Sequence, residues 1–496
     1  MRARLTKIAK RGAMALALIA VTLLGARIYA SQRGAPLELW HTYAPHELTA
    51  EAIDHASWTD YLSAEDKIFA DVRREVTDKL EADERIPVNR YFAGSPVYPE
   101  GFAQDWNRSY ELEPEGASLG AVVLLHGLTD SPYSLRHIAR TYRDHGFVSV
   151  AIRLPAHGTV PGALTDVQWQ DWMAATRLAV REARRRIGPT LPLHLVGFSN
   201  GGALALKYAL DAIEDPRLTR PDRIVLISPM VGVTRFARFA GWAALPSVLP
   251  AFAKAAWLSV LPEFNPFKYN SFPVNGARQS YLLTHVLQQE ITRLAREKRL
   301  DRLAPLLTFQ SVVDFTVSTR AITSSLYAQL PSNGSELVLF DLNRSAKFGQ
   351  LLRTASETAL SRLLPQPPRL FRTATIVNAN GDSSEAVERV TEAGAVSEAS
   401  RPLGLFYPPG VYSLSHVALP FPISDSLYGL RPDPAENFGL NLGAIAPRGE
   451  RGTLIISLDS ILRMSSNPFF PYMIARIEEG LHVGAAEEPV KAAAPP

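Results

Sequence analysis

The feature that most constrains the fold is an alternation of short apolar runs and helix-length segments, which begins after Glu115. Strands are predicted at 121–125, 147–152, 191–196, 223–228, 306–313 and 337–340. Helices are predicted between them, at 135–145, 166–186, 202–213 and 319–330. Because strands that are joined through helices run parallel, the sequence predicts an α/β fold with a mostly parallel, doubly wound sheet. Ligands of such sheets bind at the carboxyl ends of the strands.

The sequence G-F-S-N-G at 197–201 lies between a predicted strand and an alanine-rich helix. A sharp turn from strand to helix forces Ser199 into a strained conformation, and the glycines on either side leave room for neighbouring chain. The turn exposes the Ser199 hydroxyl at the helix N-terminus. A helix cap is the alternative role for this serine. The strand, turn and helix together favour a nucleophile.

The sequence H-G-L-T-D-S-P at 126–132 follows the first predicted strand. Enzymes that transfer acyl groups stabilise an oxyanion with two backbone N–H groups, one after the nucleophile and one from this loop. The predicted donors of this oxyanion hole are Leu128 and Asn200. Alternatively, Asp130 or Ser131 caps the next helix, and both roles can hold together.

These two motifs resemble the monoglyceride lipase, lysophospholipase and carboxylesterase branch of the α/β-hydrolase superfamily. The sequence L-P-A-H-G at 154–158 is similar to that branch's proline–histidine–glycine loop. The resemblance covers roughly 121–341 and resumes near His416. It implies an α/β-hydrolase fold with a helical cap at about 231–300, while the stretch at about 344–410 is an extra insertion that inherits no function.

The chain order of this fold is serine, then acid, then histidine. Only His416 and His482 follow every candidate acid. His416 lies in a small polar loop and is the predicted general base, whereas His482 lies in the C-terminal tail. We expect His126 and His157 to have structural roles. The three N-terminal histidines lack metal-ligand spacing and are expected to be surface or structural residues, namely His41, His46 and His55.

Two aspartates each follow a predicted strand, Asp314 after 306–313 and Asp341 after 337–340. The resemblance implies an acid after the seventh strand, with a small apolar residue such as Val317 three positions on. Asp314 is therefore the predicted partner that orients the imidazole, and Asp341 is the alternative. The polar segment 378–400, between Asp314 and His416, is predicted to be mobile, or else an extra hairpin or lid. A domain boundary there would separate His416 from the site.

The predicted activity is that of a serine hydrolase that cleaves lipid or acyl esters through an acyl-enzyme. This mechanism requires no metal and no organic cofactor. A serine peptidase would need an acidic cluster for a substrate ammonium, and Glu263 stands largely alone in the cap. An acyltransferase would use the same triad, whereas a non-catalytic envelope binding module would not need these motifs together.

The predicted cap contains large apolar residues separated by proline and alanine. Such a cap would enclose an acyl chain, dock on a membrane surface, or pack internally. These residues are Phe236, Phe239, Trp242, Leu245, Leu249, Phe252, Trp257 and Leu261.

The charge balance and the cysteine count exclude other classes of function. The net charge is +3, from 52 basic and 49 acidic residues, and no basic stripe with aromatics is present, so nucleic acid is not an expected partner. The absence of cysteine excludes disulfides, thiolate metal sites and cysteine nucleophiles.

The N-terminus has the order of a secretory signal, with a basic head before an apolar run at 13–26. As a helix this run is about 21 Å long, shorter than the roughly 30 Å hydrocarbon core of a bilayer. Residues 1–30 are therefore predicted to be a cleaved signal peptide or an uncleaved signal-anchor. The protein is expected to be periplasmic, or anchored in a membrane and facing outside the cytoplasm.

The rest of the chain is predicted to form three parts. An N-terminal extension occupies 31–115 and contains a helix at 64–82, the hydrolase domain occupies 116–480, and a disordered tail occupies 481–496.

Overall fold

The computed structural model describes residues 2–232, 245–345, 359–444 and 466–481, and a ten-stranded sheet forms its centre. The strands are β1 (Tyr110–Leu112), β2 (Gly120–Leu125), β3 (Phe147–Ile152), β4 (Leu193–Phe198), β5 (Arg223–Ile227), β6 (Trp257–Ser259), β7 (Phe272–Pro273), β8 (Leu306–Ser311), β9 (Glu336–Phe340), β10 (Arg372–Asn378), β11 (Glu385–Thr391) and β12 (Ala399–Phe406). Their order in the large sheet is β1-β3-β2-β4-β5-β8-β9-β10-β11-β12, and β6 and β7 form a separate pair. All strands from β3 to β10 in this order pair in parallel, which confirms the predicted fold class.

The helices are α1 (Arg2–Gln32), α2 (Leu39–Thr42), α3 (Ala50–His55), α4 (Trp58–Glu75), α5 (Arg136–Asp144), α6 (Trp169–Ile187), α7 (Asn200–Glu214), α8 (Val274–Arg296), α9 (Thr319–Ala321), α10 (Ala359–Leu363) and α11 (Phe470–Glu478). Helices α6, α7 and α8 cover one face of the sheet, and α5 and α11 cover the other. Alternate residues of β2 therefore enter different apolar clusters: Val123 packs on the first face and Val122 on the second. This double cover explains why the central strands are continuously apolar.

Two predicted helices have different boundaries in the structure. Helix α4 begins at Trp58 instead of residue 64, because Ser57 and Asp60 form a reciprocal capping box. The predicted helix at 319–330 is divided into α9, a π-helical turn (Ile322–Leu326) and a 3₁₀ turn (Tyr327–Gln329). The hydroxyls of Thr323 and Ser324 both donate to the Arg320 carbonyl, and such bonds compete with regular helix.

The segment from α2 to β1 packs against the carboxyl end of β3 through buried ion pairs. Arg153, which follows β3, lies 2.8 Å from a Glu47 carboxylate oxygen and 3.0 Å from one of Glu65. The Arg153 side chain is fully enclosed. Because a buried charge is costly unless it is paired, these contacts fix the N-terminal segment to the sheet.

The polar segment 378–400 is ordered, so the prediction that it is mobile is wrong, and the alternative of an extra hairpin agrees with the structure. Strand β11 pairs antiparallel with β10 and with β12, which extends the main sheet. Its buried charge, Glu388, has partners on two other elements. The buried carboxylate of Glu388 accepts hydrogen bonds from Arg401 and from the Tyr472 hydroxyl. The polar composition of this segment therefore gave no indication in the sequence that it contains a strand.

The first helix is longer than the apolar run within it. Among the described residues, one stretch, Lys10–Gln32 of α1, is long and apolar enough to cross a membrane by length and composition alone. A signal sequence near the N-terminus can have the same length and composition.

Four residues that were singled out in the sequence lie outside the described ranges, namely Phe236, Phe239, Trp242 and His482.

Candidate active site

Ser199 stands alone between the end of β4 and the start of α7. Its backbone has φ 55° and ψ −115°, a left-handed conformation that costs a non-glycine residue about 1–3 kcal/mol. Two hydrogen bonds to the neighbouring chain hold it there. The Ser199 N–H donates to the Ile227 carbonyl over 3.0 Å, and the Met230 N–H donates to the Ser199 carbonyl over 2.9 Å.

The glycines around Ser199 are required by close contacts between backbones. An alanine at position 201 would place its Cβ 1.9 Å from the Leu125 carbonyl oxygen, and one at position 197 would lie 2.4 Å from the Gly201 carbonyl oxygen. Real Cβ atoms do not approach backbone so closely, so only glycine fits either position. The motif thus allows the sharp turn between strand and helix.

His416 joins Ser199 and Asp314 in one hydrogen-bonded chain. Its Nε2 lies 2.9 Å from the Ser199 hydroxyl oxygen, and its Nδ1 lies 2.9 Å from a carboxylate oxygen of Asp314. A carboxylate only accepts hydrogen bonds, so Nδ1–H donates to Asp314, and Nε2 is left to accept from the Ser199 O–H. The structure therefore brings together the three residues predicted from the sequence.

Asp314 is buried yet stays ionised. Burial by itself raises the pKa of a carboxyl, but the charge and hydrogen bond of His416 lower the pKa of Asp314 below its ordinary value. The N–H groups of Thr316 and Val317 assist, because both donate to the second carboxylate oxygen at 2.8 and 2.9 Å. The carboxylate is thus held in one orientation.

The loop that carries His416 is attached to the ends of two central strands. The Ser311 hydroxyl donates to the Leu414 carbonyl over 2.9 Å, and the Asn343 side chain donates to the Val411 carbonyl over 2.6 Å. The ring of Phe198 stacks on the His416 ring, with centroids 5.4 Å apart. Strands β10 to β12 occupy much of the chain between Asp314 and His416, and the chain then returns to the site.

The loop predicted to stabilise an oxyanion lies against the serine. A Cβ at Gly127 would be 3.3 Å from the Cβ of Ser199. Thr129 has a left-handed φ of 62°, and its carbonyl accepts a 2.7 Å hydrogen bond from the Tyr269 N–H. Asn200 is the first residue of α7, where helical geometry provides no carbonyl partner for the N–H. Leu128 and Asn200 therefore lie on the two chain segments that border Ser199.

The remaining histidines near the site make structural hydrogen bonds. His126 accepts the Leu154 N–H at Nε2 over 3.0 Å, and its burial lowers its pKa well below the ordinary value. Burial lowers the pKa of His157 to about 4, and its Nδ1 faces the Pro155 carbonyl. In the N-terminal segment, His41 is buried and bonds to Ser271, whereas His46 and His55 are exposed.

The two other acids considered from the sequence are engaged elsewhere. Asp341 pairs with Arg344 over 3.0 Å, and burial raises its pKa. Glu263 is buried, and its carboxylate accepts the N–H groups of Asn270 and Ser271. Within the described ranges, no group of three or more histidine and carboxylate side chains could hold a metal ion.

Sequence reasoning missed the residues that support this site, especially Ser311, Asn343 and Tyr269. Ser311 is the last residue of β8, and Asn343 comes shortly after β9. Ser311 and Asn343 could therefore have been found from the sequence, because each is a polar residue at or just after the carboxyl end of a buried strand. No local pattern marks Tyr269, because its contacts are with loops more than a hundred residues away.

Comparison with protein families and curated proteins gives two matches. Residues 116–342 match the family model described as serine aminopeptidase, S33. This range includes Ser199 and Asp314 and ends before His416. A thermostable monoacylglycerol lipase from Bacillus sp. strain H-257 is 31% identical over 88 residues, which are 18% of this chain and 34% of that protein. The match thus spans about a third of the length of this curated relative.

Solved structures of lipolytic enzymes resemble part of the chain. One belongs to the metagenome-derived lipolytic enzymes LipS and LipT, with 22% identity, a TM-score of 0.38, and coverage of 48% of this chain and 88% of that one. The monoacylglycerol lipase of Paleococcus ferrophilus has 18% identity, a TM-score of 0.35, and coverage of 47% and 87%.

Proposed function

For a chain that belongs to the α/β-hydrolase superfamily, in its lipase- and esterase-like branch, we propose the function of a serine hydrolase that cleaves carboxylic esters. The observation that carries this proposal is the hydrogen-bonded chain from Ser199 through His416 to Asp314, with both distances at 2.9 Å. The strained serine beside the loop 126–132 supports it further.

The reaction begins with transfer of a proton from the Ser199 hydroxyl to His416 Nε2, while the oxygen attacks the ester carbonyl. Asp314 stabilises the imidazolium that forms. The backbone N–H groups of Leu128 and Asn200 stabilise the oxyanion, and each such donor contributes about 3–4 kcal/mol in comparable enzymes. His416 then donates its proton to the departing alcohol, which leaves an acyl-enzyme on Ser199.

Hydrolysis of the acyl-enzyme completes the cycle. His416 takes a proton from water, the hydroxide attacks the acyl carbon, and the proton returns to Ser199 as the acid leaves. An alcohol in place of water would give acyl transfer with the same residues. None of these steps calls for a metal or an organic cofactor.

Lipid or other acyl esters are the substrates we favour. Support comes from the 88-residue stretch that is 31% identical to a monoacylglycerol lipase. The description of the matched family makes a serine aminopeptidase the second candidate. Such an enzyme needs an acid for the substrate ammonium, but Glu263, the acid expected in the cap, is committed to two backbone N–H groups.

We also propose the organisation and location expected from the sequence. Residues 1–30 are a signal peptide or signal-anchor, 31–115 an extension, 116–480 the catalytic unit and 481–496 a tail. The protein acts outside the cytoplasm, in the periplasm or on the outer side of a membrane.

The test is to label the detergent-solubilised full chain with a fluorophosphonate and to measure hydrolysis of p-nitrophenyl esters of increasing chain length. We expect labelling and burst kinetics in the parent protein and the loss of both in Ser199→Ala. The matched control, Ser324→Ala, removes an exposed serine and should retain both. An unlabelled parent protein that hydrolyses no ester would refute the proposal, and turnover of aminoacyl p-nitroanilides alone would favour the peptidase.

A further inference from the structure

The C-terminal end of α1 is attached to the cap region of the protein. Its attached face consists of Leu24, Arg27, Ile28 and Ser31, which have helical spacing and are the more buried positions of this end. The guanidinium of Arg27 donates to the carbonyls of Ala255 and Trp257, and the Gln32 side chain donates to the Ala251 carbonyl over 2.8 Å. Lys254 bonds in return to the Gly34 carbonyl over 3.1 Å.

Between Lys10 and the attached end, α1 carries several apolar side chains that are exposed. Exposed side chains between Lys10 and the attached end are Met14, Leu18, Ile19, Val21 and Leu23. Single exposed apolar residues are ordinary, but a contiguous patch of this kind marks a surface that is covered by a partner or a membrane. By length and composition alone, Lys10–Gln32 is long and apolar enough to cross a membrane.

The segment to which α1 is attached also exposes apolar side chains, and we name it the leucine edge (residues 249–261). Leu249, Leu258 and Leu261 are exposed large apolar residues on this segment. Leu258 directly follows Trp257, whose carbonyl binds Arg27. These exposed leucines therefore lie on the segment that Arg27 joins to α1.

The residues at the attached end of α1 have the chemistry of a membrane–water interface. Tyr29 is exposed, and the guanidinium of Arg33 lies 4.5 Å from the centre of its ring. Tyrosine and arginine are typical of the level at which a helix leaves the hydrocarbon core. The basic residues at the start of the chain, from Arg2 to Arg11, lie at the opposite end of the apolar run.

From these observations we propose that α1 stays on the mature protein as an anchor and that the leucine edge rests on the surface of the phospholipid bilayer. Arg27 joins the two parts, because its bonds to two backbone carbonyls hold the leucine edge at the level of the bilayer where α1 leaves it. Apolar side chains at such a surface enter the boundary between headgroups and acyl chains by about 5–10 Å.

A series of contacts connects the leucine edge to the candidate site. Strand β6 within it pairs with β7, which leads into α8, and a Cβ on Gly276 of α8 would lie 3.9 Å from the Leu128 side chain. An ester lipid would thus be taken up at the bilayer surface, a consequence that rests on the proposed function. The contact with the bilayer itself does not depend on catalysis.

The absence of cysteine makes a direct test possible. The full-length Leu258→Cys protein is labelled with an environment-sensitive nitrobenzoxadiazole fluorophore and reconstituted into phosphatidylcholine–phosphatidylglycerol vesicles. We expect roughly twofold quenching of this fluorophore by lipids that carry a nitroxide near the headgroup, because a segment that enters the boundary by about 5–10 Å lies at the depth of that nitroxide. The matched control is Leu119→Cys, because Leu119 is as exposed, 59% against 45% for Leu258, but precedes the amino end of β2. Its label should not be quenched.

Two further measurements separate the parts of the proposal. Arg27→Ala should leave the protein in the vesicles but reduce quenching at position 258 severalfold, and unchanged quenching would overturn the role of Arg27. The intact mass of the protein isolated from its own cell envelope should include residues 1–30, and cleavage before Ser31 would overturn the anchor.

The proposal as a whole is overturned if the label at position 258 is unquenched in vesicle-bound protein, or quenched no more than the label at position 119. It is also overturned if the fluorophore responds only to a second labelled copy of the chain, since that would make the leucine edge a protein interface. Quenching should persist in Ser199→Ala, so a failed esterase assay and a failed membrane contact are distinguishable.

Discussion

Each group of the candidate site is held by a neighbour that limits what it can do. The carboxylate of Asp314 receives N–H groups from Thr316 and Val317, so it presents one oxygen to His416. The imidazole is stacked against Phe198 and thus keeps Nε2 directed at Ser199. Such support reduces the reorganisation needed when charge develops, which is the main source of electrostatic catalysis.

Replacement of Asp314 should separate it from the alternative acid. In Asp314→Asn the amide favours the wrong imidazole tautomer, so we expect kcat for ester hydrolysis to fall on the order of ten-thousandfold. Asp341→Asn should change kcat only slightly, because that carboxylate pairs with Arg344 and not with His416. Steady-state kinetics of both variants make the comparison, and an equal loss in the two would contradict our assignment.

At the scale of elements, the segment before β1 is hydrogen-bonded to the chain that holds the loop 126–132. The Arg90 N–H donates to the Glu263 carbonyl, and the Asn107 side chain donates to the Pro266 carbonyl over 3.0 Å. The segment they hold continues to Tyr269, whose N–H holds Thr129. The segment before β1 is therefore linked to the candidate site through this series of contacts.

Tyr269→Phe keeps the backbone bond to Thr129 and the ring, but it removes the hydroxyl that fixes residue 269 to the loop 156–159, so it should weaken this support indirectly. The Tyr269 hydroxyl accepts the Thr159 N–H over 2.8 Å and donates to the Ala156 carbonyl over 3.2 Å. Its removal leaves a buried N–H unsatisfied, a loss of about 1–3 kcal/mol. We expect kcat to fall about tenfold with little change in KM, because the oxyanion is stabilised only in the transition state.

Tyr327→Phe is the matched control for that prediction. Tyr327 is an equally buried tyrosine whose hydroxyl donates to the Glu336 carbonyl on the sheet, away from Thr129. This variant should lower the melting temperature without reducing kcat. If both variants lose activity in proportion to stability, Tyr269 has a structural role alone.

At the scale of the whole molecule, buried polar groups join parts of the chain that are far apart. Arg136 and Asp425 are both fully enclosed, and their side chains lie 2.7 Å apart. Their ion pair holds the segment after His416 to the start of α5. Loss of Asp425 would leave the enclosed Arg136 with Glu436 as its remaining carboxylate partner, and breaking a buried ion pair typically destabilises a protein by about 3–5 kcal/mol.

Buried neutral histidines should make the stability of the protein depend on pH. Burial lowers the pKa of His194 to about 3, compared with 6.5 for an ordinary histidine. The unfolded chain therefore takes up a proton first, so the contribution of His194 to stability is complete above pH 6.5 and is lost as the pH falls toward 3. His41 and His157, with pKa values lowered to about 4 by burial, act in the same direction.

The variant His194→Phe isolates this contribution, because other buried groups titrate identically in both proteins. We expect its melting temperature to fall less than that of the parent protein between pH 6.5 and pH 4. His285→Gln, a change at an exposed histidine, should follow the parent at every pH. Parallel melting curves for all three proteins would show that His194 is not buried in neutral form.

The sequence by itself determined the parallel sheet, the turn around Ser199 and the choice of His416 as the candidate base. Each depends on a pattern that is local or on an order along the chain. Apolar runs predict strands wherever both faces of a sheet are covered, and the strand-to-helix turn is encoded within about ten residues. This information does not require knowledge of which strands are neighbours.

Only the tertiary structure decided which aspartate lies beside His416 and how the polar segment 378–400 folds. Asp314 and Asp341 both follow parallel strands at the same edge of the sheet, so their local sequences look alike. The distinction comes from hydrogen bonds across 102 residues to Asp314 and 217 residues to Ser199. Likewise, the buried carboxylate of Glu388 on β11 is satisfied by Arg401 of β12 and by Tyr472, which is 84 residues away. Which residues become partners over such distances depends on how the whole chain packs, because the sequence around each residue carries no information about its partner.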